Sequence, residues 1–450
     1  MMLDRLTAED ALVLGREAGA VCGHTCKVLI LRSAGGRSLP ELETLRRHID
    51  ARLDGAPRLR QRLVATPLRV ATPVWLDDPA FDVARHVTQV QTDGPVSRNG
   101  LEEIVGRLMA QRLDRARPLW RIDVVELDDE SMALVWRVHH CMADGTTCVR
   151  LGSAVLWGED PGSEDAVAGT SPASAWTPVA GPGAMRLFAL GVADRARHAR
   201  GHPHGPRAPQ DRLRATRAVI KRELARDAEL TPLAVPIGRR RDVAFAQAPL
   251  AESKLAGKAI AESVTLNDVV LAIVAGGLRT WLEHGSGPTA GIRVKVPVSL
   301  HGSGEEEAVA ANRDSYFFVD LPVAEPDPAK RVLAISRETR ERKLGHDAET
   351  LYHLGRHPVL AHWAMSPRVF TFNVSNVRGP ADDVYVCGAR VSEFHSLAEI
   401  AQRHALRVAV ISAAGRLSFG LCSDRDAVRD LELLTDGLRR SRDELLALAA

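Results

Sequence analysis

The sequence predicts an α/β protein built as two sandwich domains, and three observations predict it. Helix-period and strand-period hydrophobic patterns alternate through both halves of the chain. Between the halves, residues 158–185 are rich in Gly, Pro, Ser and Ala, and residues 195–217 are dense in Arg, His and Pro, neither with sustained periodicity. The chain has 450 residues, long for one domain and sufficient for two. The expected division is a first domain over 1–185, a crossover linker and helix over 186–240, and a second domain over 241–450.

In the first half, residues 41–53 place Leu42, Leu45, Ile49 and Leu53 on one helical face, and residues 101–113 do the same with Leu101, Ile104, Val105 and Leu108. Residues 132–138 form a compact strand, followed by a polar turn and a helix over about 146–157. A short helix is expected over 184–194. The second half opens with a helix over 267–281. A strand over 292–300 follows, with Ile292, Val294, Val296, Val298 and Leu300 on one face. Further strands are expected over 315–321, 371–375, 385–387, 406–412 and 416–421, and a last helix over 427–448.

Composition excludes some functions. A net charge of +2 and 4% aromatics argue against a nucleic-acid partner. The six cysteines, Cys22, Cys26, Cys141, Cys148, Cys387 and Cys422, read as reduced thiols rather than a disulfide framework. The first residues, Met-Met-Leu-Asp-Arg-Leu-Thr-Ala-Glu-Asp, carry acids and lack the apolar segment of a secretory signal. No stretch reaches the roughly 20 apolar residues that span a bilayer. The expectation is a cytoplasmic protein whose membrane contact, if any, is peripheral.

The chemistry concentrates in one motif, His139-His140-Cys141-Met142-Ala143-Asp144-Gly145. Period two along the preceding strand sends Leu134, Trp136, Val138 and His140 to one face, and Val135, Arg137 and His139 to the other. If the strand continues that far, the two histidines diverge and cannot share one role. Asp144 stands where a helix begins, suited to capping it or to pairing with a buried arginine. Gly145 admits a close backbone approach or a positive φ. An imidazole fixed at such a strand end is neutral near pH 7 and can accept a hydroxyl proton as general base. A metal site or a plain polar strand end are the alternatives. Metal is disfavoured because adjacent strand residues point apart and no second ligand set completes the coordination. Cys22-Gly23-His24-Thr25-Cys26 looks like a metal fragment but opens a strand, so no metal is expected there.

Other blocks accompany the motif. Residues 113–120 read Leu-Asp-Arg-Ala-Arg-Pro-Leu-Trp, residues 264–272 read Val-Thr-Leu-Asn-Asp-Val-Val-Leu-Ala, and residues 375–380 read Ser-Asn-Val-Arg-Gly-Pro. With Val296-Pro297-Val298-Ser299, Asn312-Arg313, Val319-Asp320-Leu321-Pro322 and residues 419–425, these resemble, in order, the bacterial wax ester synthase/diacylglycerol acyltransferase family. That family is part of the superfamily of CoA-dependent acyltransferases and peptide-synthetase condensation domains. The resemblance covers nearly the whole chain apart from the linker.

It implies two chloramphenicol-acetyltransferase-like domains with the active-site tunnel at their interface, and direct acyl transfer from acyl-CoA to an alcohol. His140 would be the base, with His139, Asp144 and Gly145 completing the catalytic motif and Asp144 mainly structural. Substrate-binding roles would fall to Pro118, Leu119, Trp120, Asn267, Asp268, Ser375 and Asn376. Asn267 or the 375–376 segment are the candidates to stabilise the oxyanion. Acyl-CoA would be co-substrate and no cofactor is implied. Peripheral contact with the inner membrane or lipid droplets is implied too, and the linker arginines Arg195, Arg197, Arg200, Arg207, Arg212, Arg214 and Arg217 could hold anionic headgroups.

Several of these residues also have structural readings. Thr265-x-x-Asp268 fits a capping box, Trp120 precedes a strand and suits a core, and residues 375–380 suit a strand-ending turn. Cys141 occupies a variable position of the motif, so a nucleophilic role is not expected. The chain also departs from the family pattern. Residues 398–408 are bulkier and more charged than the family's Gly-rich segment, residues 411–415 lack its aromatic, and residues 6–10 are a loose version of its opening. If 398–408 lines the acceptor channel, the alcohol differs. Two other functions therefore compete. One is a secondary-metabolite acyltransferase that uses a CoA or carrier-protein thioester and a polyketide or sugar alcohol. The other is a non-catalytic acyl-lipid binding protein, which the intact His140, Asp144 and Gly145 disfavour.

Overall fold

The computed structural model describes residues 3–35, 38–158, 176–199, 216–224, 231–285, 291–299, 314–354 and 358–449. Asn312, Arg313, Leu300 and the linker arginines Arg200, Arg207, Arg212 and Arg214 lie outside them. The chain divides into two compact units, residues 1–206 with 382–394, and residues 207–381 with 395–450. Sequence patterning assigned 382–394 to the second domain. The structure returns it to the first, because this stretch contains the start of a strand that pairs there.

The first unit is a mixed sheet with helices. Its strands are β1 (His24–Arg32), β4 (Val87–Gln89), β5 (Trp120–Glu126), β6 (Met132–His139), β11 (Tyr385–Val386) and β12 (Ala389–Ala398), in the order β11-β12-β1-β6-β5-β4. A separate hairpin joins β2 (Gln61–Val64) and β3 (Val74–Asp77). The helices are α1 (Ala8–Arg16), α2 (Leu42–Asp50), α3 (Arg98–Met109), α4 (Gly145–Val155) and α5 (Ala184–Ala199). Leu45 and Ile49 are buried, so α2 docks by the face its periodicity predicts. Strand β6 runs between β1 and β5, and all its residues are buried. That suits its apolar run Met132–Trp136 better than a half-solvated alternation would.

The second unit holds β7 (Arg241–Pro249), β8 (Arg293–Ser299), β9 (Asp314–Asp320), β10 (Phe372–Arg378), β13 (Leu406–Ala413) and β14 (Arg416–Asp424), ordered β7-β14-β13-β10-β8-β9. Around it stand α6 (Leu250–Ile260), α7 (Leu266–His284), α8 (Pro328–Leu344), α9 (Asp347–Leu354), α10 (Pro358–Trp363) and α11 (Leu431–Leu446). Helix α7 is apolar nearly all round because it is buried on several sides. Its Gly277 permits the close crossing with α11, since an added Cβ would stand 2.2 Å from Leu438 Cδ1. The expected last helix starts later than its periodicity suggests. Asp430 adopts a left-handed φ of 56° and breaks the run ahead of Leu431. Between β13 and β14, Ala414 and Gly415 both take positive φ, a tight two-residue hairpin turn. No helix among the described residues is long and apolar enough to cross a membrane.

Candidate active site

The motif sits where β6 ends. On one face, Arg137 is buried and its guanidinium pairs with Asp123 at 2.8 Å while donating to the carbonyls of Leu108 and Gln111 at 2.7 and 3.2 Å. It thereby caps the C-terminus of α3, where unpaired carbonyls favour a cation. On the other face, α4 covers Trp136, whose ring lies 3.4 Å from where a Cβ on Gly152 would stand. Lys27 of β1, 1% exposed, lies in the same register row as Trp136. Burial pushes its ammonium pKa down, and the neighbouring Cys148, Cys26 and Asp144 pull it back up.

The two histidines are placed differently. His139 pairs with His24 across β1 and β6 and is 1% exposed. Its Nδ1 accepts from the Cys141 backbone N–H at 3.1 Å, and its Nε2 lies 3.3 Å from Glu17 Oε2. At that length the second contact is chiefly electrostatic. His140 follows the last residue of β6, is only half-buried, and ties its backbone N–H to Gly23 O at 2.9 Å.

Between them and α4 the chain turns tightly. The His139 carbonyl accepts from Met142 and Ala143 N–H at 2.8 and 3.2 Å. Asp144 is the N-cap of α4, its carboxylate accepting from Thr147 N–H at 2.6 Å. Gly145 is the first helical residue and does not take a positive φ, so its expected left-handed use is not what this backbone requires.

Sequence reasoning missed four residues that build this corner. Glu17, the C-cap of α1, has a side chain 2% exposed that meets both His139 and Arg115, whose Nε donates to it at 2.8 Å. Burial raises the Glu17 pKa, but His139 and Arg115 more than offset it and hold the carboxyl below its ordinary value. Gly23 has φ +71°, and a Cβ there would stand 2.8 Å from His139 Nε2. Arg112 donates to Gly19 O at 2.8 Å, fastening the loop that carries Gly23. No short-range pattern announces these contacts; a glycine directly ahead of a strand is the one local signal.

The other expected site residues divide between the units. In the first unit Pro118, Leu119 and Trp120 are buried. Trp120 is a packing residue, its Nε1 donating to Leu59 O at 2.8 Å and its ring stacked on His86 at 4.6 Å. The Leu119 carbonyl accepts from His139 N–H at 2.9 Å, so this block supports the motif through its backbone.

Asn267, Asp268, Ser375 and Asn376 belong to the second unit. Thr265 and Asp268 form the capping box of α7, and Thr339 Oγ1 donates to Asp268 Oδ1 at 2.7 Å. Asp268, 1% exposed, is therefore committed to the fold, while Asn267 beside it is half-buried. Ser375 and Asn376 lie in β10, half-buried, and pair with β13 through Arg378. The ladder from β10 to β8 covers Phe372 and Asn373.

The charged segment 398–408 is turned into its own unit. Glu399 and Arg241 form a buried ion pair at 3.0 Å, and Arg407 donates to the Glu399 carbonyl at 3.1 Å. Burial pushes the Glu399 carboxyl up to about 7 against the opposing pull of Arg241. His404 is bonded through both ring nitrogens to the carbonyls of Thr371 and Met365 and stacks on Phe370. The cysteines of the motif region are buried thiols. Burial raises Cys148 to about 12 and Cys141 further still, the opposite of nucleophile activation. Among the described residues no group of three or more His, Cys, Asp or Glu could hold a metal ion.

Two family descriptions match this chain: the wax ester synthase/diacylglycerol acyltransferase catalytic domain over residues 6–270, and the corresponding C-terminal domain over residues 310–446. The chain belongs to the wax ester synthase/diacylglycerol acyltransferase family. A Mycobacterium tuberculosis protein named a probable diacylglycerol O-acyltransferase is 30% identical over 439 residues, 91% of this chain and 89% of its own length. Another from the same organism, also carrying a diacylglycerol O-acyltransferase name, is 30% identical over 476 residues, 99% and 97% of the two chains.

The fold is shared more widely. The wax ester synthase/diacylglycerol acyltransferase of Marinobacter aquaeolei superposes with TM-score 0.69 at 22% identity, covering 99% of this chain and all of that one. The starter condensation domain of rhizomide synthetase, solved with C8-CoA, superposes with TM-score 0.62 at 13% identity over 100% and 95% of the chains. Both units therefore have the chloramphenicol-acetyltransferase-like α/β form expected of the family, and the protein is an O-acyltransferase.

Proposed function

We propose that this enzyme transfers an acyl group from acyl-CoA directly to the hydroxyl of diacylglycerol or a long-chain alcohol, with His140 as general base. The observation that carries this reading is the contrast within the motif. His139 is sealed in the sheet with its Nδ1 bonded to the Cys141 N–H, while His140 follows the strand end half-buried, its backbone held by Gly23.

In the proposed step, the alcohol oxygen attacks the thioester carbonyl carbon while His140 takes its proton. The tetrahedral adduct expels the CoA thiolate as the C–S bond breaks, and the His140 imidazolium returns the proton to sulfur. The ester and free CoA leave, with no acyl-enzyme. The buried, raised-pKa thiols of Cys141 and Cys148 are consistent with that. Asn267 and the Ser375–Asn376 segment are the proposed source of oxyanion donors, and no metal or prosthetic group is required. A CoA donor is supported by the C8-CoA of the rhizomide synthetase structure, and diacylglycerol as acceptor by the names of the mycobacterial relatives. The internal pairing of Glu399, Arg407 and His404 supports a lipid alcohol over a more polar acceptor.

Peripheral contact with an anionic lipid surface is part of the same proposal. Helix α5 buries Leu187 and Gly191, while Met185, Phe188 and Val192 are exposed on the opposite side at helical spacing. Arg186, Arg195 and Arg197 flank that apolar stripe, the arrangement of an interfacial helix.

Labelled palmitoyl-CoA offered with diacylglycerol, a long-chain alcohol and a polyketide or sugar alcohol tests the chemistry. Ester formation with the first two, reduced on the order of 10²–10⁴-fold in folded His140→Ala, is the expected result. Full activity in His140→Ala refutes the mechanism. Turnover confined to the third acceptor refutes the substrate assignment.

A further inference from the structure

Glu17 stands apart from the motif in sequence, yet its carboxylate is packed against the ring of His139. We infer that Glu17 is a positioning residue for catalysis: it fixes the tautomer of His139, and through the turn that His139 closes it fixes His140. The inference rests on the reading of His140 as base.

The Cys141 backbone N–H points at His139 Nδ1 at 3.1 Å, so Nδ1 must present a lone pair. In a neutral ring the proton is then on Nε2, and Nε2 faces Glu17 Oε2 at 3.3 Å. A carboxylate there favours the Nε2–H form electrostatically, and in a site 1% to 2% exposed little water competes. The opposite tautomer would aim one N–H at another at Cys141 and bring the Nε2 lone pair against a carboxylate.

The geometry leaves the ring little choice of place. Gly23 approaches Nε2 so closely that a Cβ would stand 2.8 Å away, and the Leu119 carbonyl holds the His139 N–H at 2.9 Å. The His139 carbonyl in turn accepts from Met142 and Ala143, closing the turn in which His140 is the first residue after the strand. The same loop that carries Glu17 ends in Gly23, whose carbonyl holds His140 N–H. Arg115 meets Glu17 from outside the ring site and keeps the carboxylate from turning away, and it also donates to Leu14 O at 3.0 Å. One segment, residues 17–23, therefore touches both histidines, the first by a side chain and the second by the backbone.

The test compares wild type, Glu17→Gln, Glu17→Asp, His140→Ala and the double variant Glu17→Gln/His140→Ala. Steady-state kinetics use palmitoyl-CoA and the preferred alcohol. Imidazole ¹⁵N NMR, with His139 assigned by substitution, reads the tautomer. Glu17→Gln is expected to lower kcat on the order of 10–100-fold, the scale of a displacement of about 1 Å. KM for both substrates should stay within about twofold, since ground-state binding is untouched. Glu17→Asp should recover part of the loss, and Glu17→Gln should cost almost nothing further in the His140→Ala background.

In wild type, His139 should show a bare Nδ1 and a protonated Nε2, a measurement that does not depend on the Glu17 variants folding. An Nδ1–H tautomer in wild type overturns the inference. So does an unchanged kcat in Glu17→Gln while His140→Ala is strongly impaired, or the same fold-loss with and without His140. Full activity in His140→Ala overturns the mechanism itself, and that arm is read separately.

Discussion

The backbone N–H of His140 donates to the carbonyl of Gly23 at 2.9 Å, so the residue that precedes β1 holds the residue that follows β6. Gly23 does this with φ +71° while lying against the His139 ring. Gly23→Ala should therefore meet both backbone strain and a collision with Nε2. A stability loss of about 1–3 kcal/mol is expected in urea unfolding, with kcat falling at least tenfold as the histidine pair shifts. An unaltered kcat would show that the close approach is not needed.

Asp144 acts as a helix cap, and that role predicts a graded series. Asn is as good an N-cap as Asp, so Asp144→Asn should retain most of the stability, whereas Asp144→Ala should lose about 1 kcal/mol. Chemical denaturation of the pair reads this directly. If both lose equally, the charge, through its interaction with Lys27, matters more than the hydrogen bond to Thr147.

The thiols should be chemically silent. Cys141 and Cys148 are buried with raised pKa values, so iodoacetamide at pH 8 should leave both unmodified in the native protein, as peptide mass mapping would show. Cys141→Ala should keep near-normal turnover. Loss of turnover on alkylation confined to Cys141 would reopen a covalent mechanism.

Glu399 gives a pH signature of definite sign. Its folded pKa, about 7, lies above the ordinary 4.5, so the folded state holds a proton that the unfolded chain has released. Between those values the native state binds more protons, and stability falls as pH rises. Unfolding free energy of the wild type should therefore decline from about pH 4.5 to 7, by up to about 3 kcal/mol from this group. Glu399→Gln should lack that component of the slope. A slope that survives the substitution would assign it elsewhere.

Trp120→Phe separates packing from substrate contact. It deletes the hydrogen bond to Leu59 O in a buried place and should cost about 1–3 kcal/mol of stability. KM for both substrates should stay unchanged; a raised KM would return Trp120 to the binding surface.

Much of this was legible in the sequence, for reasons that differ from element to element. The motif strand announced itself because β6 opens on the apolar run Met132–Trp136 and then places two polar residues, Arg137 and His139, on one face. The capping box at Thr265 and Asp268 is a local code and was read as one. Strand β7 was missed because its inward positions include Ala244, Ala246 and Ala248, too small to raise a hydrophobic signal. Strand β12 was missed because Glu393 and His395 interrupt its pattern, and their partners come from elsewhere in the fold. Glu17 was invisible for a related cause. Its meaning lies in a contact with His139 that only the pairing of β1 with β6 brings about.

One strand also constrains how the protein comes to be made. Strand β12 lies beside β1 in the sheet of the first unit, yet it is encoded near the far end of the chain. During synthesis β1 must wait with one flank open until residues 389–398 leave the ribosome. The waiting strand, His-Thr-Cys-Lys-Val-Leu-Ile-Leu-Arg, is β-prone and carries the unbroken apolar run Val28–Leu31, the kind of edge that recruits foreign strands. A gene fragment ending at the crossover would express that hazard permanently, so insoluble product is the outcome to plan for when the halves are cloned apart.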